Sequence, residues 1–224
     1  MAESYQLIRT RRRTIALIIQ NDGSLVVRAP LRAPGKLIRE FVESKAGWIR
    51  KKQVQARESA RVTVKHYLEG EQFWYLGKMY PLLIIPRRHP TLELGSAFRL
   101  AKPALPRAEE AFIRWYKAQA RQVLAERVEG LAARHGYSFQ KMRITSARTR
   151  WGSCSAKGTL SFTYRLVMAP PEVIDYVVVH ELAHLRIRNH SKVFWRRVWE
   201  MMPEYRQGIT WLKQNGRLLT LETR

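Results

Sequence analysis

His180-Glu181-Leu182-Ala183-His184-Leu185-Arg186-Ile187-Arg188-Asn189-His190 is the stretch that decides how this chain is read. On a helix, four residues carry His184 to within about 40° of His180, one turn up, so both imidazoles face one ion. Glu181 stands about 100° round the helix, too far to join them but able to reach a metal-bound water. The H-E-x-x-H spacing therefore offers two metal ligands and a general base.

His190 carries a further expectation. Six more helical residues would turn it about 240° from His184, so as a third ligand it requires the helix to end first. Asn189 tolerates the left-handed conformation that ends many helices. Arg186 and Arg188 place positive charge at the negative helix pole. Ser191 can cap a new helix beginning at Lys192. Three imidazoles would hold one Zn2+ per chain and leave a fourth position for water, whose pKa zinc lowers toward neutrality. Glu181 would accept that water's proton and pass it to the leaving group. Glu200 and Glu204, on the next helix and its end, are competitors for the last ligand position, or else solvated charges.

Composition sets wider bounds. The 224 residues carry 41 Lys+Arg against 18 Asp+Glu, a formal charge of +23. Such a surplus favours polyanions without locating a site. Its clusters, Arg9–Arg13, Arg50–Lys52 and Arg186–Arg197, also read as solvated surface. No apolar run approaches the roughly 18 residues that span a bilayer. The first residues lack a charged segment followed by an apolar one, so the cytoplasm is the expected location. Cys154 is the single cysteine, which excludes an internal disulfide framework.

The expected fold is α+β, with a small β-rich α+β unit over residues 1–105 and a catalytic α+β domain over 106–224 whose metal site lies on a buried helix. In the first unit, Tyr5–Arg9, Thr14–Gln20 and Leu25–Ala29 read as strands, the last two joined by the turn Asn21-Asp22-Gly23-Ser24. One helix is expected from about Gly35 to Ala56. Trp74–Leu76 and Met79–Ile85 form a hairpin about Gly77-Lys78, Pro86–Pro90 ends it, and Leu92–Leu94 can pair with Phe98–Leu100. Ala101-Lys102-Pro103-Ala104-Leu105-Pro106 reads as the linker. A long amphipathic helix runs from Glu109 to Arg134, stopped by Gly136. Strands follow at Lys141–Ala147 and Thr159–Thr163. Pro170-Pro171-Glu172 opens the metal helix. Val173, Ile174, Tyr176, Val177, Val178 and Val179 surround it with apolar groups, so its polar residues need partners. Met201 or Met202 is either a floor beneath the ion or core filling.

Arg150-Trp151-Gly152-Ser153-Cys154-Ser155, His180-Glu181-Leu182-Ala183-His184 and Asn189-His190-Ser191 with Phe194-Trp195 together resemble the YgjP-like metal-dependent hydrolases. Arg11-Arg12-Arg13, Val26–Pro30 and Trp48-Ile49 extend the resemblance across nearly the whole chain. It implies a zincin-like domain with His180, His184 and His190 on zinc and Glu181 as base. The spacing is also similar to that of metzincins and of Wss-type and SprT-like proteases. Metzincins, however, carry glycine three residues after the second histidine, where this chain has Ile187, so its turn must differ. A bacterial relative is associated with pyrophosphatase activity on UTP.

Arg148, Arg150, Trp151, Gly152, Ser153 and Cys154 form a segment with two readings. It either lies beside the zinc, its backbone holding an extended substrate and its arginines meeting negative charge, or it simply packs. The leading expectation is a zinc metallopeptidase acting on a peptide or protein, with Thr159–Thr163 as a strand for substrate pairing. The alternatives are a metal-dependent nucleotide pyrophosphatase and a nucleic-acid-associated protein with a structural metal. The sequence carries no signal for oligomeric state.

Overall fold

The computed structural model describes residues 4–20, 22–86 and 89–222. Met1–Glu3, the turn residue Asn21, and Arg87 and Arg88 of the expected Pro86–Pro90 break lie outside them. The chain divides into two compact units, Met1–Val64 and Lys65–Arg224.

In the first unit, β1 (Tyr5–Thr10), β2 (Ala16–Ile19) and β3 (Leu25–Pro30) form a sheet of order β1-β3-β2. β3 runs parallel to β1 and antiparallel to β2. Alternate residues Leu25, Val27 and Ala29 share a buried cluster with Ile38, Val42 and Ile49. This is the period-2 face of a strand meeting the apolar stripe of a helix. The single helix expected here is two, α1 (Gly35–Ser44) and α2 (Ala46–Thr63). At the break the Ser44 hydroxyl donates to the Phe41 carbonyl (2.8 Å), taking an acceptor that a continuing helix would use.

The second unit begins with β4 (Gln72–Tyr75), β5 (Lys78–Ile85), β6 (Leu92–Leu94) and β7 (Phe98–Ala101), in the order β4-β5-β7-β6. The first hairpin turns at Leu76-Gly77, both with positive φ, one residue before the expected pair. Residues 102–107 are not a linker but a 3-10 turn leading into α3 (Ala108–His135). The domain boundary expected at 105/106 therefore falls inside the second unit. The reason is packing: Phe112 of α3 stands 4.3 Å from Phe73 and 5.1 Å from Phe98, ring to ring. An aromatic cluster shared by sheet and helix cannot straddle a domain gap.

Phe112, Tyr116, Ala120, Leu124, Val128 and Ala132 are the buried line of α3. A step of four overshoots the helical turn by about 40°, so this line winds round the helix. One end thus meets the aromatic sheet and the other meets α4 and β8. Gly136 closes the helix at φ 64.

β8 (Lys141–Thr145), β9 (Gly152–Cys154) and β10 (Thr159–Thr163) form a sheet of order β8-β10-β9. The helices α4 (Pro171–Ala183), α5 (Lys192–Met201) and α6 (Tyr205–Asn215) complete a mixed α+β unit. α4 is buried from Val173 to Ala183 except at Asp175 and His180. Asp175 faces Arg127 of α3 at 2.6 Å. Gly208 lets α6 press onto α4: a Cβ there would stand 2.7 Å from Cβ of Tyr176. Among the described residues, no helix is long and apolar enough to cross a membrane.

Candidate metal centre

The expected helix end is present, but its cause differs. α4 stops at Ala183, with His184 as its cap. Arg186 and Ile187 N–H groups both return to the Ala183 carbonyl. Asn189 is not left-handed: among the described non-glycine residues only Tyr67 and Leu76 have positive φ. Arg186 and Arg188 do more than face the helix pole. Arg186 donates to the Gly136 carbonyl (2.7 Å) and lies over the Tyr137 ring. Arg188 donates to the carbonyls of Ser155 (2.8 Å) and Ala156 (3.0 Å). These charge-assisted bonds draw the chain off the helix axis and return His190 to the cluster. Ser191 then caps α5, accepting from the Phe194 N–H.

The three histidines converge. Nε2 of His190 lies 3.0 Å from Nε2 of His180 and 3.2 Å from Nε2 of His184. Among the described residues, His180, His184 and His190 are the group able to share one ion, their ligand atoms all within 4.8 Å of one another. Glu200 instead meets Arg197 at 3.2 Å, and neither it nor Glu204 joins the group.

Proton positions test whether a cation fits. Nδ1 of His184 lies 2.9 Å from the Ile187 carbonyl, which can only accept. The Nδ1 nitrogen therefore carries the proton, and Nε2 presents a lone pair. His190 Nε2 faces two neighbouring nitrogens, and a neutral ring has one N–H to give. One of the two contacts is thus left without an aligned proton. A cation resolves the clash of lone pairs. Tetrahedral Zn–N bonds of about 2.0–2.1 Å separate two nitrogens by about 3.4 Å, close to the spacing seen here. Burial, then the charges of His184 and His190, push His180 down to about 3. Burial also lowers His184. These two rings are accordingly neutral at pH 7, the form that binds metal. The site fits a divalent ion.

Phe194 forms the floor. Its ring contacts all three imidazoles, at 4.9, 4.5 and 4.9 Å from His180, His184 and His190. Met201 is buried in the core and Met202 packs against it, partly buried. No periodicity argument singles out Phe194, because its role depends on the turn that folds α5 back over α4. The Ile187 carbonyl was equally hidden, since a backbone acceptor has no sequence signature.

Glu181 is 5% exposed, and its Oε2 has no hydrogen-bond partner. Burial pushes its carboxyl up to about 7, against the opposing pull of Arg150. β9 passes directly over it: a Cβ on Gly152 would lie 2.6 Å from Glu181 Cγ. Only glycine permits that approach.

Residues 148–154 divide. Arg150 has the charge relation to Glu181 just described, and Gly152, Ser153 and Cys154 form β9. Arg148 points elsewhere, paired with Glu222 at 3.1 Å. Trp151 packs beneath the Arg165 guanidinium and against Gly216. The Cys154 thiol is pushed up by burial and lies 3.6 Å from Arg188, outside the histidine group.

The sheet order corrects one expectation. β10, the strand assigned to substrate pairing, is central and bonded on both sides. Its two ladders leave no backbone groups for another strand. The free edges belong to β8 and β9, and β9 is the one that lies against Glu181. The Thr163 N–H donates to the Trp151 carbonyl and the Ser155 N–H to the Thr159 carbonyl, while Ser153 opposes Ser161. Antiparallel alternation then turns the N–H and C=O of Gly152 and Cys154 outward.

Comparison with known proteins places the chain. A 61-residue stretch is 34% identical to the UTP pyrophosphatase of Escherichia coli (strain K12), covering 27% of this chain and 36% of that protein. The chain thus spans about a third of that curated relative's length. The crystal structure of the metallopeptidase zymogen of Pyrococcus abyssi abylysin is 25% identical over 42% of this chain and 96% of its own, with a TM-score of 0.38. Residues 13–215 match the model of the YgjP-like metallopeptidase domain. That span takes in the whole histidine cluster and the strand above Glu181, and the chain belongs to the YgjP-like family defined by that domain.

Proposed function

We propose that this protein is a zinc metallopeptidase that cleaves an extended peptide laid against the edge of β9. The observation that carries this reading is the outward-facing backbone of Gly152 and Cys154 directly beside Glu181. An extended chain can add to that edge as a further antiparallel strand, with main-chain hydrogen bonds fixing its register. A nucleotide has no ladder to offer.

His180, His184 and His190 would hold the metal, with His184 oriented by its bond to the Ile187 carbonyl. A bound divalent ion supplies Lewis acidity, polarising a carbonyl and making water acidic. Glu181, buried and unpartnered at Oε2, would take a proton there and return it to the leaving amine. Phe194 excludes water from the cluster's inner side, which strengthens the electrostatic interactions within it.

Nucleotide hydrolysis is the second reading. Its support is Arg150 near Glu181 and the name of the bacterial relative. Three arginines of the 186–197 stretch are already committed: Arg186 and Arg188 to carbonyls, and Arg197 to Tyr137 and Glu200.

The test compares peptide and UTP turnover in the zinc-loaded protein and its Glu181→Gln variant. We expect peptide cleavage, lost by a factor of about 10² to 10⁴ in the variant at unchanged zinc content. UTP turnover without peptide cleavage would replace this reading with the second. Undiminished cleavage in the variant would remove Glu181 as the base.

A further inference from the structure

Beside the histidine cluster opens a cleft of ≈ 460 Å³, lined by His190, Lys192, Trp195, Tyr205, Arg206 and Ile209. It shares His190 with the cluster, so a substrate held at the metal extends naturally into it. Its wall is a continuous aromatic stack. The ring of Trp195 lies 5.9 Å from that of His190 at 29°, and 5.5 Å from that of Tyr205 at 23°. Its charged groups are both cations. Lys192 and Arg206 are exposed, and among the described residues no carboxylate lines the cleft. Arg206 Nε leans on the Tyr205 hydroxyl at 3.5 Å, which leaves the two terminal guanidinium nitrogens for a ligand.

We propose that this cleft is a specificity subsite for an acidic side chain, glutamate in particular, next to the bond being cut. The inference rests on the peptidase reading and supplies its missing substrate class. The aromatic wall and Ile209 accept the methylene stem of a glutamate, while the two cations meet its carboxylate. A neutral or basic side chain gains the apolar contact and either forfeits the charge or opposes it. The surplus positive charge of the chain acts in the same direction at longer range, drawing acidic segments toward the site.

Binding, not turnover, gives the first readout. Zinc-loaded Glu181→Gln protein is titrated with fluorescent peptides that differ only in Glu, Gln or Lys at the positions flanking the scissile bond. The Glu peptide is expected to bind roughly tenfold more tightly than the Gln peptide, with the gap closing as salt rises, because both cations are exposed to solvent. In a Lys192→Glu/Arg206→Glu double variant on the same background, with zinc content and melting checked, preference is expected to pass to the Lys peptide. Equal binding of Glu and Gln peptides by the unreversed protein would overturn the inference, as would a double variant that still prefers Glu. Acidic preference in binding with no cleavage by the wild type would uphold the subsite and overturn the peptidase reading. Cleavage indifferent to flanking charge would do the reverse.

Discussion

Gly152 and Glu181 are in direct contact across the gap between β9 and α4, and a methyl group added to Gly152 would lie 2.7 Å from Glu181 Oε1. The proposed substrate edge and the proposed base are thus set against each other by one missing side chain. Gly152→Ala must displace either the carboxylate or the strand. A misplacement of about 1 Å can cost about 10² in rate. We expect that loss in kcat, with zinc stoichiometry unchanged because no histidine is touched. Near-normal kcat in Gly152→Ala would show that the close approach is dispensable.

Metal removal should be felt in stability, since one contact among the three imidazoles has no proton to align. Chelation is expected to lower the melting temperature and zinc to restore it. A ligand at about 100 times its dissociation constant stabilises by about 2.7 kcal/mol. His184→Ala should abolish the zinc-dependent rise. A melt indifferent to zinc in the wild-type protein would contradict the assignment of these ligands.

The raised carboxyl of Glu181 fixes a pH dependence in the metal-free protein. Its ordinary value is 4.5 and its folded value about 7. Between these limits the folded chain binds a proton that the unfolded chain releases, so this group lowers stability as pH rises through that window. Glu181→Gln lacks the burial penalty at every pH. The variant's advantage in melting temperature over wild type should be largest above pH 7 and vanish below about 4.5. Parallel melting curves across that range would rule out a buried, neutralised carboxyl.

Gly208 sets the spacing of α6 on α4. An alanine there gains about 1 kcal/mol of helix propensity, but its methyl meets the Tyr176 side chain, and overpacking costs about 1–3 kcal/mol. The clash should prevail. Gly208→Ala is expected to unfold at lower urea than wild type with an unchanged slope. Higher stability would mean that α6 yields easily.

The local parts of this architecture were legible in the sequence. β1, β3 and α3 lie within a residue or two of their expected bounds, because alternation and helical spacing are properties of neighbours. The one helix read as continuous is broken at a serine whose hydroxyl competes for a carbonyl, a choice that periodicity does not register. The supposed linker around Pro103 and Pro106 misled for a related reason. Prolines mark a turn, but whether that turn separates domains depends on what Phe112 touches afterwards.

The sequence by itself singled out the groups that converge, H-E-x-x-H on a helix and a later histidine, but left Gly152 between a place beside the site and plain packing. Only the tertiary structure decided that β9 rather than β10 has a free edge, that Phe194 lies beneath all three rings, and that Arg186 and Arg188 guide the turn. The physical reason is range. Spacing along one helix fixes directions within that helix, whereas strand order, ring stacking and side chain-to-carbonyl bonds join residues brought together only by folding.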